Sequence, residues 1–170
     1  MDRSIHDLHL ESLMSKRTVL CGVICVLVTS AVVVAAEPIQ LDMKALKWKA
    51  AFEGGDQLGG YNDGENKFCM YVNGTATGEV AIPEEGDYTV AIEASCDEAK
   101  KMYAAFKLTI GDVVVAKDHS LTTQNAKVYF FTAKLKKGKQ NLVIEFINDE
   151  FKEGEYDRNL YLHAVKLEKK

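Results

Sequence analysis

The sequence predicts an all-β domain, an antiparallel β-sandwich of the jelly-roll type. Apolar and polar residues alternate through most of the chain after residue 45, which is the period of a half-buried strand. Turn signals rich in Gly, Pro, Asn and Asp interrupt this alternation roughly every 8–12 residues. We see no convincing long helix, so the core is expected to form between two packed sheets.

The first predicted strand, residues 46–52, places Leu46, Trp48 and Phe52 on one face and two lysines on the other. A glycine-rich loop is expected to follow over residues 53–64, since glycines permit unusual backbone angles. The next strand, residues 67–72, ends at an Asn-Gly turn signal. These boundaries rest on a change from alternating residues to turn residues.

The later strands follow the same rule. A proline at position 83 ends residues 79–82, and an alternating strand over residues 88–96 comes after the turn. A Gly-Asp turn separates the two strands of a predicted hairpin, residues 104–110 and 113–116, before a polar loop over residues 118–125. The remaining predicted strands are residues 127–135, 141–147 and 160–167.

The N-terminus has the anatomy of a secretory signal peptide. A basic Ser-Lys-Arg segment precedes an uncharged run from Thr18 to Val34, and an Ala-Ala pair then precedes Glu37 and Pro38. We therefore expect residues 1–36 to form a signal peptide with an extension, Met14 to be the true start, and residues 37–170 to form the mature domain. A membrane anchor is the alternative. Export would place the protein outside the cell or in the cell envelope, with no membrane association after cleavage.

Composition excludes one class of partner and leaves the cysteines open. The net charge of −4 argues against nucleic acid, which requires a basic face. The expected mature chain keeps two cysteines, Cys69 and Cys96. In an exported protein they are disulfide candidates, and two buried free thiols are the alternative.

An acidic stretch over residues 148–160 stands out from this β-scaffold. It contains Asp149 and Asp157 with three glutamates between them, and apolar strand patterns flank it. Oxygen ligands crowded into a loop between rigid strands suit a hard cation such as Ca²⁺. The alternative is a solvated acidic loop without a metal.

Two short segments around this loop carry a resemblance to a known family. Residues 146–149 read Phe-Ile-Asn-Asp, and residues 157–162 read Asp-Arg-Asn-Leu-Tyr-Leu. This pattern resembles the calcium-dependent xylan-binding carbohydrate-binding modules of families 36 and 60. Weaker similarities lie in the turns at residues 83–90 and 137–141, and the resemblance extends over residues 45–168. It implies a jelly-roll fold without catalysis and an ion that coordinates sugar hydroxyls.

Site residues follow from the resemblance. Asp149 and Asp157 match the family's calcium-binding aspartates, and backbone carbonyls of the loop would complete the protein's share of the ligands. Tyr61 resembles a family tyrosine near the sugar, and Asn159, in the matching motif, is a further candidate for binding the sugar. A second, structural calcium is not expected, because the family's N-terminal glutamates are replaced by lysines in the first strand.

The aromatic residues of the loop, Phe151 and Tyr156, are candidates for stacking on a sugar ring, or they pack the loop. Other chemistries fit less well. An EF-hand starting at Asp149 would have Phe151 at position 3 and Leu160 at position 12, which are not ligands. Only two histidines follow the signal, without zinc-site spacing.

Catalysis is not expected, because we find no Ser/His/Asp or Cys/His arrangement and no phosphate-binding glycine loop before a helix. The sequence therefore predicts a non-catalytic module that binds a polysaccharide such as xylan through Ca²⁺. The alternative is a structural or protein-interaction module of the cell envelope that binds no sugar.

Overall fold

A computed structural model describes residues 37–170 and confirms the antiparallel β-sandwich of the jelly-roll type. The predicted signal peptide, residues 1–36, lies outside the described residues. The strands are β1 (Ile39–Gln40), β2 (Lys47–Ala50), β3 (Gly59–Asn62), β4 (Lys67–Met70), β5 (Gly74–Ile82), β6 (Gly86–Cys96), β7 (Ala105–Ile110), β8 (Val113–Ser120), β9 (Lys127–Leu135), β10 (Gly138–Phe146), β11 (Phe151–Lys152), β12 (Tyr156–Asp157) and β13 (Leu160–Lys169). A short 3₁₀ helix, Met43–Ala45, precedes β2. No helix of this part of the chain has the length and apolar character needed to cross a membrane.

Two sheets form the sandwich. The first has the order β3-β4-β13-β6-β9, with β1 paired beside β4 along the same edge of β13. The second has the order β2-β5-β10-β7-β8. All of these pairs are antiparallel. The chain crosses between sheets several times, so the sandwich depends on contacts between residues distant in sequence.

Alternation along each strand builds the core. In β6, Tyr88, Val90 and Ile92 are fully buried while the residues between them are partly exposed. Phe106 of β7 and Phe146 of β10 fill the second sheet's inner face. Burying an aliphatic or aromatic side chain of this size stabilises the fold by roughly 1.5–3 kcal/mol each, so the sheets hold their loops firmly.

The structure differs from the predicted elements where glycines made strands resemble loops. The predicted loop over residues 53–64 contains β3, and β5 begins at Gly74 rather than near residue 79. A Cβ atom at Gly59 or at Gly74 would come within 2.5 Å of the Trp48 ring. These glycines therefore allow strands to pass close to a large side chain, which a local pattern does not distinguish from a turn.

One end of the sandwich gathers the segments that carry the acidic loop. Leu160, at the start of β13, pairs with Met70 at the end of β4 and with Cys96 at the end of β6. At the same end, Phe146 of β10 pairs with the first residue of β5. The loop over residues 147–159 thus crosses from the second sheet to the first at this end.

Candidate functional site

A buried arginine and an asparagine fasten the two ends of the acidic loop. The guanidinium of Arg158, only 3% exposed, donates hydrogen bonds to the carbonyls of Met102 (3.1 Å), Ala99 (2.5 Å) and Asn148. The side chain of Asn148 accepts from the amide of Ala105 at 2.7 Å. Because both side chains form hydrogen bonds with backbone atoms of residues 99–105, the loop ends are fixed relative to the β6–β7 connection.

The middle of the loop is a small hairpin rather than an irregular insert. β11 and β12 pair with Phe151 opposite Asp157, and the chain turns at Gly154 with a φ of +72°. Lys152 and Glu155 form an ion pair across the turn at 2.5 Å. The hairpin thus places Asp157 beside the strand that follows Asp149.

Asp149 occupies a desolvated position near a second carboxylate. Its amide donates to Oδ1 of Asn73 at 2.8 Å. Its own Oδ1 is buried and has no hydrogen-bond partner within the described residues. Burial raises the pKa of Asp149, and the neighbouring negative charge of Asp157 raises it further. The predicted pair of aspartates therefore lies close enough for the two charges to interact.

The other acidic groups around the loop are less available. Glu150 forms an ion pair with Lys100, and this contact lowers the pKa of Glu150. Glu153 and Glu155 are exposed, as the sequence predicts for the middle of the loop. Within residues 37–170 no group of three or more His, Cys, Asp or Glu side chains is placed to hold a metal ion. A cation here would need other oxygen ligands in addition to the two carboxylates.

The two loop aromatics differ in exposure. Phe151 is 65% exposed on β11, with its ring free of the core. Tyr156 is partly buried, and the ammonium of Lys100 lies 5.4 Å from its ring centroid. Phe151 is therefore the more accessible apolar surface beside the aspartates, and Tyr156 helps to order the loop.

Asn159 is buried at the end of the loop, and its Oδ1 has no hydrogen-bond partner within the described residues. It is 5% exposed, and its Nδ2 donates to Oδ2 of Asp97 at 3.0 Å. The hydroxyl of Tyr161 donates to the same oxygen at 2.5 Å. Asn159 thus connects Asp97, the residue after β6, to the start of β13.

Tyr61 does not join the loop. It pairs with Phe68 of β4, so it lies two strands away from β13. Its hydroxyl donates to Oδ1 of Asn66, in the β3–β4 turn, at 2.5 Å. Tyr61 thus lies near the turn of its hairpin, and the other end of that hairpin carries Met70, the partner of Leu160.

The disulfide expected as one alternative for Cys69 and Cys96 is not formed, and both are buried free thiols. Cys69 of β4 pairs with Tyr161, and Cys96 of β6 pairs with Leu160 on the other side of the same strand. Two strand spacings, about 9–10 Å, exceed the roughly 4.4–6.8 Å between Cα atoms that a disulfide needs.

Several residues of the site were not evident from sequence. Arg158 lies in a charged stretch of the sequence, yet it is buried against backbone carbonyls, and its positive charge partly offsets the raised pKa of Asp149. Glu155 pairs with Lys152 instead. The sequence indicates a turn at Asn73, yet its side chain accepts a hydrogen bond from the amide of Asp149. Asn73 and Asp149 are far apart in the chain, and only the pairing of β5 with β10 brings them together.

Comparison with known proteins agrees with this arrangement. Residues 89–170 match the sequence model of a family described as a Ca-dependent, xylan-binding carbohydrate-binding module, family 60. No curated protein sequence matches the chain.

Solved structures share the fold at low sequence identity. A family 36 carbohydrate-binding module in complex with calcium and xylotriose has a TM-score of 0.55 and 11% identity, covering 78% of this chain and 99% of that chain. A family 35 module from Clostridium thermocellum has a TM-score of 0.51 and 13% identity, covering 79% and 100%. A family 36 domain of a multidomain xylanase from the hindgut metagenome of Trinervitermes trinervoides has a TM-score of 0.54 and 10% identity, covering 77% and 94%.

The chain is similar to carbohydrate-binding modules in its sandwich fold and, over residues 89–170, in its sequence. The matched family is of the xylan-binding type, and the match includes the whole acidic loop and the strand after it. The resemblance inferred from residues 146–162 is therefore confirmed.

Proposed function

We propose that the domain binds a xylan-like polysaccharide through a calcium ion held between Asp149 and Asp157. The observation that carries this proposal is the buried Oδ1 of Asp149, which has no hydrogen-bond donor within residues 37–170 and lies near a second negative charge. Burying a carboxylate oxygen without a hydrogen-bond partner is costly. A bound cation would offset this cost and would also relieve the repulsion between the two aspartates.

The donor chemistry fits calcium better than zinc or magnesium. Ca²⁺ accepts six to eight oxygens in flexible geometry, including carboxylates, backbone carbonyls and water. Two carboxylates together with loop carbonyls would supply part of such a shell. Sugar hydroxyls would replace water at the remaining positions, so the protein would need no deep pocket to bind the ligand.

The loop's attachment supports this role. Arg158 and Asn148 fix its two ends on the β6–β7 connection, so the aspartates are positioned before the ligand arrives. Phe151 would cover the apolar face of a sugar ring beside the ion, because it is exposed on the hairpin that carries Asp157.

Export would bring such a module to its polysaccharide. We infer it from the signal-peptide pattern over residues 1–36, with cleavage after Ala36. N-terminal sequencing of the secreted protein should then begin at Glu37. A retained N-terminus in a membrane fraction would indicate an anchor instead.

Affinity electrophoresis and calorimetry with soluble xylan test the proposal directly. We expect binding in millimolar calcium, loss of binding in EDTA, and recovery when calcium is restored. Mannan and β-glucan serve as comparison glycans. Binding to none of these glycans in calcium would contradict the proposal and favour a structural module, whereas binding that survives EDTA would contradict the role of the ion.

A further inference from the structure

We propose that a cleft at the end of the second sheet binds additional sugar units of the same polysaccharide chain. This inference rests on the proposed function, because it extends the ligand away from the ion. The cleft has a volume of about 450 Å³ and lies among the ends of β2, β5 and β10. Its size is within the roughly 300–1,000 Å³ that small-molecule sites occupy.

The cleft adjoins the loop through one shared residue. Asn73 lines the cleft, and its Oδ1 also accepts the hydrogen bond from the amide of Asp149. On the other wall, Ile147 is the first residue of the loop. A polymer with one unit at the aspartates therefore has a continuous surface into the cleft, whereas a small free ligand would gain nothing from this continuity.

The lining matches a neutral, hydroxyl-rich ligand. Thr75 and Glu145 are cross-strand partners on β5 and β10, and Lys49 lies opposite Thr75 on β2. Together they offer a hydroxyl, an acceptor and a donor along one row. The charges are balanced, because Lys49 pairs with Asp56 at 2.9 Å and Glu145 lies 3.8 Å from the ammonium of Lys107. A strongly charged ligand would have to break these pairs.

The test compares xylo-oligosaccharides of two to six units by calorimetry in calcium. The variant T75V/E145Q removes a hydroxyl and a charge while keeping the side-chain shapes. The matched control is T77V/E79Q, which makes the same changes on the same face of β5 but outside the cleft, where Glu79 pairs with Lys139 at 3.5 Å.

We expect the wild-type affinity to rise with chain length. T75V/E145Q should bind the hexasaccharide about five- to twentyfold more weakly, since one hydrogen bond is lost and a charge-assisted one is weakened, while its affinities for the disaccharide and for calcium stay unchanged. The control should behave as wild type. No gain with length, or the same gain in T75V/E145Q, would overturn the inference while leaving calcium-dependent disaccharide binding intact. Absence of all binding would instead contradict the proposed function, and the inference with it.

Amide chemical shifts of the wild-type protein provide a second measurement that does not depend on the folding of a variant. The hexasaccharide should shift the amides of Gly74, Thr75 and Glu145 beyond the shifts caused by calcium and disaccharide. Shifts at these amides that depend on protein concentration without sugar would mean that a second copy of the chain fills the cleft, which would overturn the inference.

Discussion

The guanidinium of Arg158 donates a hydrogen bond to the backbone carbonyl of Asn148, and this contact joins the last residues of the acidic loop to its first. Asp149 and Asp157 are the immediate neighbours of these two residues. The two aspartates are therefore close because the buried guanidinium of Arg158 binds backbone carbonyls on both sides of the loop. We call this set of bonds the Arg158 clamp.

Replacing Asp157 by Asn should abolish the stabilisation that calcium gives. Calcium at one hundred times its dissociation constant stabilises a folded protein by about 2.7 kcal/mol, which appears as a rise in melting temperature. Without calcium, D157N should melt at or above the wild-type temperature, because it removes a negative charge that acts on Asp149. E153Q changes an exposed glutamate of the same loop and should retain the calcium shift. An equal shift in D157N would exclude Asp157 as a ligand.

The pKa of Asp149 predicts how stability depends on pH. Because burial raises this pKa above its ordinary value of 3.8, the calcium-free folded protein binds this proton more tightly than the unfolded chain does. The unfolding free energy should therefore fall, relative to D149N, as pH rises from about 4 through the raised pKa. Calcium affinity should increase over the same window, since the ion binds the carboxylate. Chemical denaturation of both proteins at several pH values measures the effect, and a constant difference would contradict it.

Arg158 should be intolerant of substitution by lysine. An ammonium cannot reproduce the planar set of bonds to Met102, Ala99 and Asn148, so R158K should lose about 2–4 kcal/mol of unfolding free energy. Calcium affinity should fall as well, because the loop ends separate. K152M breaks only the exposed pair with Glu155 and should change stability by less than about 0.5 kcal/mol. Denaturant titration distinguishes the two variants, and equal stabilities would contradict the clamp.

Phe151 should contribute to glycan binding and little to folding. F151A removes an exposed ring, so the melting temperature and calcium affinity should stay close to wild type while xylan affinity falls about five- to thirtyfold. Phe130, 70% exposed on β9 of the first sheet, offers a matched control. F130A should bind xylan as wild type does. Equal loss in both variants would indicate a non-specific effect of exposed aromatic surface.

The two buried cysteines predict insensitivity to reductant. Residues 37–170 should unfold at the same denaturant concentration with and without dithiothreitol, because there is no bridge between Cys69 and Cys96 to break. A disulfide closing this loop would contribute roughly 3–4 kcal/mol, which such a titration resolves easily. Thiol reagents should label both residues only after unfolding. Two unreactive sulfurs in the unfolded, unreduced chain would contradict the structure.

The alternation of apolar residues was sufficient to predict the sandwich and most of its strands, because the two faces of a strand such as β6 have opposite environments. It failed where a glycine performs a packing role. Gly59 and Gly74 lie in strands, where the absence of a side chain leaves room for the ring of Trp48. Because Trp48 belongs to another strand, the local sequence does not show whether such a glycine forms a turn or packs in a strand.

By itself, the sequence determined the fold class, the acidic loop between two strands, and the aspartates at its ends, because each is written in consecutive residues. Only the tertiary structure decided that Arg158 is buried beneath the loop, that Asn73 supports Asp149, that Asn159 bonds to Asp97 and Tyr61 to Asn66, and that Cys69 and Cys96 remain apart. Each of these depends on which strands lie next to each other, and strand order is set by the collective burial of two sheet faces rather than by any local pattern.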